Sequence, residues 1–143
     1  MFSVKPAHHW QFGTTADVGI GAEAPDLDSL FAEMARALFS VMTDLGTVRS
    51  VEERVVEVGA ADPQGLLVAF LSELIYLRDS ADLVLGEFEV HVSLEPTAHL
   101  RARVRGETWE HDRHPRRIEV KAVTLHQLEL DLAANRAQVI LDI

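Results

Sequence analysis

Two aspartates stand inside runs that otherwise read as buried strand. Asp17 lies in Thr14–Thr15–Ala16–Asp17–Val18–Gly19–Ile20, and Asp142 in Val139–Ile140–Leu141–Asp142–Ile143. Aspartate is a poor strand residue and is costly to desolvate without a partner. The Ile143 carboxyl group adjoins Asp142 at the end of the sequence. If the two segments are neighbours in the fold, three carboxylates converge. Such a cluster repels itself unless it holds protons or a cation. Hard oxygen donors without cysteine or an adjacent histidine favour calcium or magnesium over zinc. A calcium shell of about 6–8 oxygens would also need backbone carbonyls and water. Spacing alone does not establish that the segments meet.

Other residues could carry chemistry. Lys121, in Glu119–Val120–Lys121–Ala122–Val123, is a cation in a largely apolar run. It pairs with a carboxylate there or reaches toward a functional surface. His111 and His114 are three apart with Asp112 between them. That spacing can ligate zinc, but no third and fourth ligand follow at suitable spacing. Contact with a partner suits this polar loop better, with Trp109 as an amphipathic anchor of the kind enriched at interfaces and Arg113 and His114 beside it. Glu73 interrupts an apolar run as a buried structural acceptor or as a neighbour of the carboxylates. The chain has no phosphate loop, no dinucleotide fingerprint and no G-x-S-x-G elbow.

The elements that must position these residues follow from periodicity. Residues 8–24 read as a strand in which Val18, Ile20 and Ala22 share one face and Asp17, Gly19 and Gly21 the other. Leu27, Leu30, Phe31, Met34, Ala35, Leu38, Phe39 and Met42 fall at helical spacing. Asp26 can cap that helix and Gly46 can end it. A strand is expected at 51–58. A second helix opens at Asp62–Pro63 and runs to about Arg78. It is apolar nearly all round from Leu66 to Leu77, so it must be covered on more than one side. Helices held between two sheet layers satisfy that requirement. Phe88, Val90, Val92 and Leu94, then Ala98, Leu100, Ala102 and Val104, alternate with polar residues about a turn at Glu95–Pro96–Thr97. This hairpin sets Glu89 opposite Arg103 and Glu87 opposite Arg105, a solvated salt ladder rather than an RNA-binding stripe. Residues 107–116 read as a polar loop, followed by strands at 117–130 and 136–143.

Composition bounds the rest. The chain has 143 residues and fits one α+β domain. A net charge of −10 argues against strong direct nucleic-acid binding, which needs clustered Lys and Arg, and favours a basic partner or cations. The absence of cysteine removes disulfide and thiolate chemistry. No run approaches the roughly 18 apolar residues of a membrane helix, and the start lacks a signal-like stretch, so a cytoplasmic protein is expected.

An ordered set of runs resembles the archease family. It comprises Thr15–Ala16–Asp17–Val18–Gly19–Ile20, Leu38–Phe39, Met42–Thr43–Asp44, Leu71–Ser72–Glu73–Leu74–Ile75–Tyr76–Leu77, Arg113–His114, Glu119–Val120–Lys121–Ala122–Val123–Thr124–Leu125–His126 and the closing Val139–Ile143 segment. The family usually shows Asp-His before Thr-Ala-Asp, where this chain has Gly13–Thr14. The resemblance implies an accessory protein of RtcB-type RNA ligases that promotes ligase guanylylation in tRNA splicing or RNA repair. It implies a metal site at Asp17, Asp142 and Ile143. It implies no catalysis of the chain's own. Lys121, Arg113, His114 and Trp109 are then candidates for partner or nucleotide contact. A stand-alone divalent-metal phosphohydrolase and a chaperone-like module are the alternatives.

Overall fold

Two helices lie between two antiparallel sheets, as the apolar second helix requires. The structure is a computed structural model that describes residues 6–13 and 17–143. Strands β1 (His8–Gly13) and β2 (Val18–Glu23) are followed by helix α1 (Leu27–Met42), β3 (Glu52–Ala60), helix α2 (Pro63–Ala81), β4 (Leu83–Ser93), β5 (Ala98–Thr108), β6 (Ala122–Val123), β7 (Glu129–Asp131) and β8 (Arg136–Asp142). One sheet runs β1-β2-β8-β6, with β7 also on β8; the other runs β3-β5-β4. Helix α1 packs on β4 from one sheet and β1 and β2 from the other. Helix α2 packs on β3 and β5 and on β6 and β7. Phe31 of α1 stacks on Phe70 of α2 with centroids 6.4 Å apart, and Phe39 on Phe88 at 5.9 Å.

The helix starts obey local chemistry. Asp26 accepts from the Ser29 N–H at 2.7 Å, and Asp62 from the Gly65 N–H at 2.6 Å. Each carboxylate satisfies a donor that the first turn leaves unpaired. Pro63 occupies the opening turn of α2, where its missing N–H costs nothing.

Two boundaries differ from the sequence expectation. The expected strand at 8–24 is instead two antiparallel strands, His8–Gly13 and Val18–Glu23, with Trp10 opposite Gly21 and Phe12 opposite Gly19. The two rings fill the space above the glycines, since a Cβ at either position would run into them. Close packing, not a ligand, therefore occupies that face. Helix α1 ends at the Thr43 cap, where its apolar spacing stops. Its late carbonyls are taken by an incoming segment: the Arg117 and Ile118 N–H groups donate to Met42 and Val41 at 3.1 Å each. Those bonds divert the expected 117–130 strand. It pairs with β8 in two short pieces, and residues 124–128 between them turn through Gln127 at φ 52°.

Helix α2 is covered less completely than its composition suggests. Leu66, Leu67, Phe70, Leu71, Leu74 and Ile75 are buried, but Ser72 is exposed and Tyr76 is 62% exposed. Glu73 is half-buried and makes no hydrogen bond or ion pair among the described residues. No helix of the described residues is long and apolar enough to cross a membrane.

Candidate functional site

Strand pairing brings the two ends of the sequence together. Val18 lies opposite Leu141 in the β2·β8 ladder. Continuing that register by one residue sets Asp17 against Asp142. Opposed residues of an antiparallel pair share a face. Leu141 is fully buried, so alternation turns Asp142 outward, and both aspartates are exposed. On the other edge of β8, Ala122 lies opposite Asp142. The Lys121 N–H donates to the Asp142 carbonyl at 2.8 Å, which fixes the lysine at the same sheet end. Its ammonium is exposed and forms no ion pair among the described residues. An open hollow of about 230 Å³, lined by Gln11, Phe12, Gly13, Asp17 and Val18, adjoins this end.

The donor set fits a hard divalent cation in kind but not in number. Two exposed side-chain carboxylates supply oxygen ligands. No group of three His, Cys, Asp or Glu side chains able to hold a metal occurs among the described residues. The remainder of a shell of about 6–8 oxygens must come from the Ile143 carboxyl, main chain, water or a partner. Of the motif's first part, Thr14, Thr15 and Ala16 lie outside the described residues. Gly13 stands where the family has Asp, and its φ of 150° suits glycine alone. A Cβ there would also meet the Asp17 carbonyl oxygen. An aspartate at this position would therefore need a different backbone conformation at residue 13.

The second cluster of ionisable groups turns inward. Glu107, expected in a loop, ends β5 and is buried. Both its oxygens accept from Arg113 Nη1, at 2.8 and 2.6 Å, and one also accepts from the Arg49 N–H at 2.7 Å. His114 is 1% exposed. Its Nδ1 accepts from the Glu110 N–H at 2.8 Å, which leaves the proton on Nε2 to donate to Glu107 at 2.9 Å. Arg113 also donates to Glu110 at 2.8 Å. The Arg113 hydrogen bond holds the Glu107 pKa down at about 2, with the Arg49 N–H and His114 adding to it against the cost of burial. In return the carboxylates push the Arg113 pKa up.

This network ties Arg113 and His114 to the fold through Glu107 and Glu110. Burial removes His114 from the surface, and both its nitrogens are occupied, so it has no lone pair for zinc. Arg113 is committed to two glutamates. Trp109 is 8% exposed, so it is wall rather than protruding anchor, with the guanidinium groups of Arg78 and Arg116 at 4.6 and 5.8 Å from its ring centroid. Sequence reading missed Glu107 as the centre of the network. The available signal was a glutamate six and seven residues before an Arg–His pair.

The hairpin charges follow the expected register, Glu87 opposite Arg105 and Glu89 opposite Arg103. The ion pairs differ in detail. Arg105 collects Glu53, Glu87 and Glu89 at 3.0, 3.7 and 3.4 Å. Arg103 has no ion pair among the described residues.

Residues 10–143 match the model of the Archease protein family (MTH1598/TM1083). The chain belongs to the archease family. It is 38% identical over 135 residues to the protein archease of Methanothermobacter thermautotrophicus, covering 92% of this chain and 96% of that one. It is 36% identical to the protein archease of Pyrococcus furiosus, covering 82% and 83% of the two chains. The solution structure of Methanobacterium thermoautotrophicum protein 1598 superposes with a TM-score of 0.79 at 36% identity, covering 94% of this chain and 98% of that one. The archease fold is thus the α+β sandwich described above, built from two helices and antiparallel sheets.

Proposed function

We propose that this archease activates an RtcB-type RNA ligase, promoting its guanylylation and multiple turnover in tRNA splicing or RNA repair. One observation carries the proposal beyond family membership. Asp17 and Asp142 lie in register on neighbouring strands, both exposed, beside Lys121, which has no ion pair among the described residues. Their carboxylates, with the Ile143 carboxyl, would hold a divalent cation, calcium first and magnesium or manganese next. A bound cation would offset their mutual repulsion and supply an electrophile to bridged phosphate oxygens. The protein's residues orient and present; the chemistry belongs to the ligase, so the protein is an accessory rather than an enzyme. Lys121 contributes a point charge suited to a phosphate or a partner carboxylate. A net charge of −10 suits docking on a basic, nucleotide-binding cleft. The setting is cytoplasmic, alongside the ligase.

The test is ligase turnover. Catalytic amounts of ligase are incubated with excess RNA ends, guanosine triphosphate and metal, with and without this protein. Many sealed products per ligase molecule are expected only with it. Equal turnover in both would contradict the proposal.

A further inference from the structure

Between the C-terminal ends of α1 and α2 and the segment 116–120 lies a cavity of about 270 Å³. One wall is Trp109, whose Nε1–H is buried without a hydrogen-bond acceptor. Arg78 lies against that ring and is neutralised by Asp82 at 2.6 Å. Arg116 lies against it too and has no ion pair among the described residues. Asp79 of α2 and Glu119 of the incoming segment also line the cavity, and neither has a cationic partner among the described residues. The cavity therefore offers one buried donor without an acceptor, the indole N–H, and at its mouth the exposed Arg116, Asp79 and Glu119, none in an ion pair among the described residues.

That inventory selects the ligand's chemistry. A third cation beside the indole would be repelled by the two guanidinium groups already there. A simple anion would face Asp79, Asp82 and Glu119, three carboxylates against two arginines. A neutral ligand with an acceptor edge and a donor edge meets both sets, and a planar one can stack on a guanidinium or indole face. Guanine has this form. Its O6 and N7 accept from arginine, as in groove recognition, and its N1–H and exocyclic amine donate to carboxylates. Adenine offers a ring acceptor where guanine has the N1 donor, so a carboxylate there opposes it. The volume suits a single base rather than a dinucleotide.

We propose that this cavity binds a guanine base, with Arg116 on its acceptor edge and Glu119 and Asp79 as acceptors for its N–H edge. The site is separate from the Asp17–Asp142 pair and does not depend on ligase activation. Glu119 and Lys121 are nonetheless two residues apart on one segment, so a nucleotide held here lies near the carboxylate end.

The experiment follows the Trp109 indole N–H signal by two-dimensional NMR, with the two indole signals distinguished by Trp10→Phe. Guanosine should shift the Trp109 signal saturably, and adenosine should bind at least tenfold more weakly. Arg116→Ala and Glu119→Ala alter exposed side chains, so the spectra should stay folded while guanosine affinity falls at least tenfold. No saturable shift with guanosine, equal binding of adenosine, or full affinity in both variants would overturn the proposal. So would a shift produced by an arginine-rich peptide but not by guanosine. A single-stranded RNA ending in G is compared with guanosine monophosphate; tighter binding of the RNA assigns the base to RNA, and equal binding assigns it to a free nucleotide.

Discussion

The two charged regions of this archease are built on opposite terms. Around Glu107, the acid lies under loop 109–114 and each group of the Glu107–Arg113–His114 network has a partner: Arg113 and the Arg49 N–H on the carboxylate, the Glu110 N–H on His114. At the end of β8, Asp17, Asp142 and Lys121 face solvent and leave one another unpaired. A satisfied buried network rigidifies a fold. An exposed, unmet set of like charges contributes little to stability and remains available for a ligand or partner. Residue type alone does not separate the two, because both regions contain acids beside a base. Satisfaction and burial do.

The largest expected effect on stability comes from breaking the satisfied region. Glu107→Ala strands a buried His114 donor and part of the Arg113 guanidinium. Removing one partner from such a buried pair costs about 3–5 kcal/mol. Thermal denaturation should show a fall on the order of 10 °C, while Asp142→Ala should move the midpoint by no more than about 2 °C, the size of a surface change. A drop as large for Asp142→Ala would erase the distinction between the regions.

Acid titration sharpens the same contrast. The Glu107 pKa is depressed to about 2 in the folded protein, below its ordinary value near 4.5. Its stabilising contribution is therefore complete above about pH 4.5. It is lost as pH falls through that value toward 2. Denaturant unfolding from pH 6 down to pH 2 should show this loss. In Glu107→Gln the acid-dependent fall should be shallower. An identical pH profile for the variant would mean that Glu107 is not the titrating group.

Much of the fold was legible because its signals are local. Helix starts at Asp26 and Asp62 and the β4–β5 register follow from capping chemistry and strict alternation. The misplaced boundaries have non-local causes. Residues 117–118 leave the strand to satisfy carbonyls at the end of α1, and no pattern within 117–130 encodes that demand. The division into β1 and β2 was hidden because both segments read as strand. For the site, an aspartate inside an apolar run is a local anomaly that sequence exposes, so Asp17 and Asp142 stood out. His114 and Arg113 looked like surface residues because the glutamate that buries them belongs to the preceding strand.

A smaller effect concerns the outer face of the second sheet. Arg105 gathers three glutamates, whereas Arg103 has no ion pair among the described residues. Exposed pairs contribute roughly 0.2–1 kcal/mol each. Arg105→Ala should cost about 1 kcal/mol in low-salt unfolding, and less at high salt. Arg103→Ala should be within about 0.5 kcal/mol of the parent. Equal losses would show that the register, not the three-way contact, sets the energy.

The central claim is that function resides in the exposed carboxylates, not in the buried network. The direct measurement is ligase guanylylation with the parent protein, Asp17→Ala, Asp142→Ala and Glu107→Gln, each confirmed folded at the assay temperature. The account predicts that both aspartate variants lose stimulation while keeping the parent's thermal midpoint, and that Glu107→Gln stimulates fully although it is less stable. Full stimulation by both aspartate variants would contradict it.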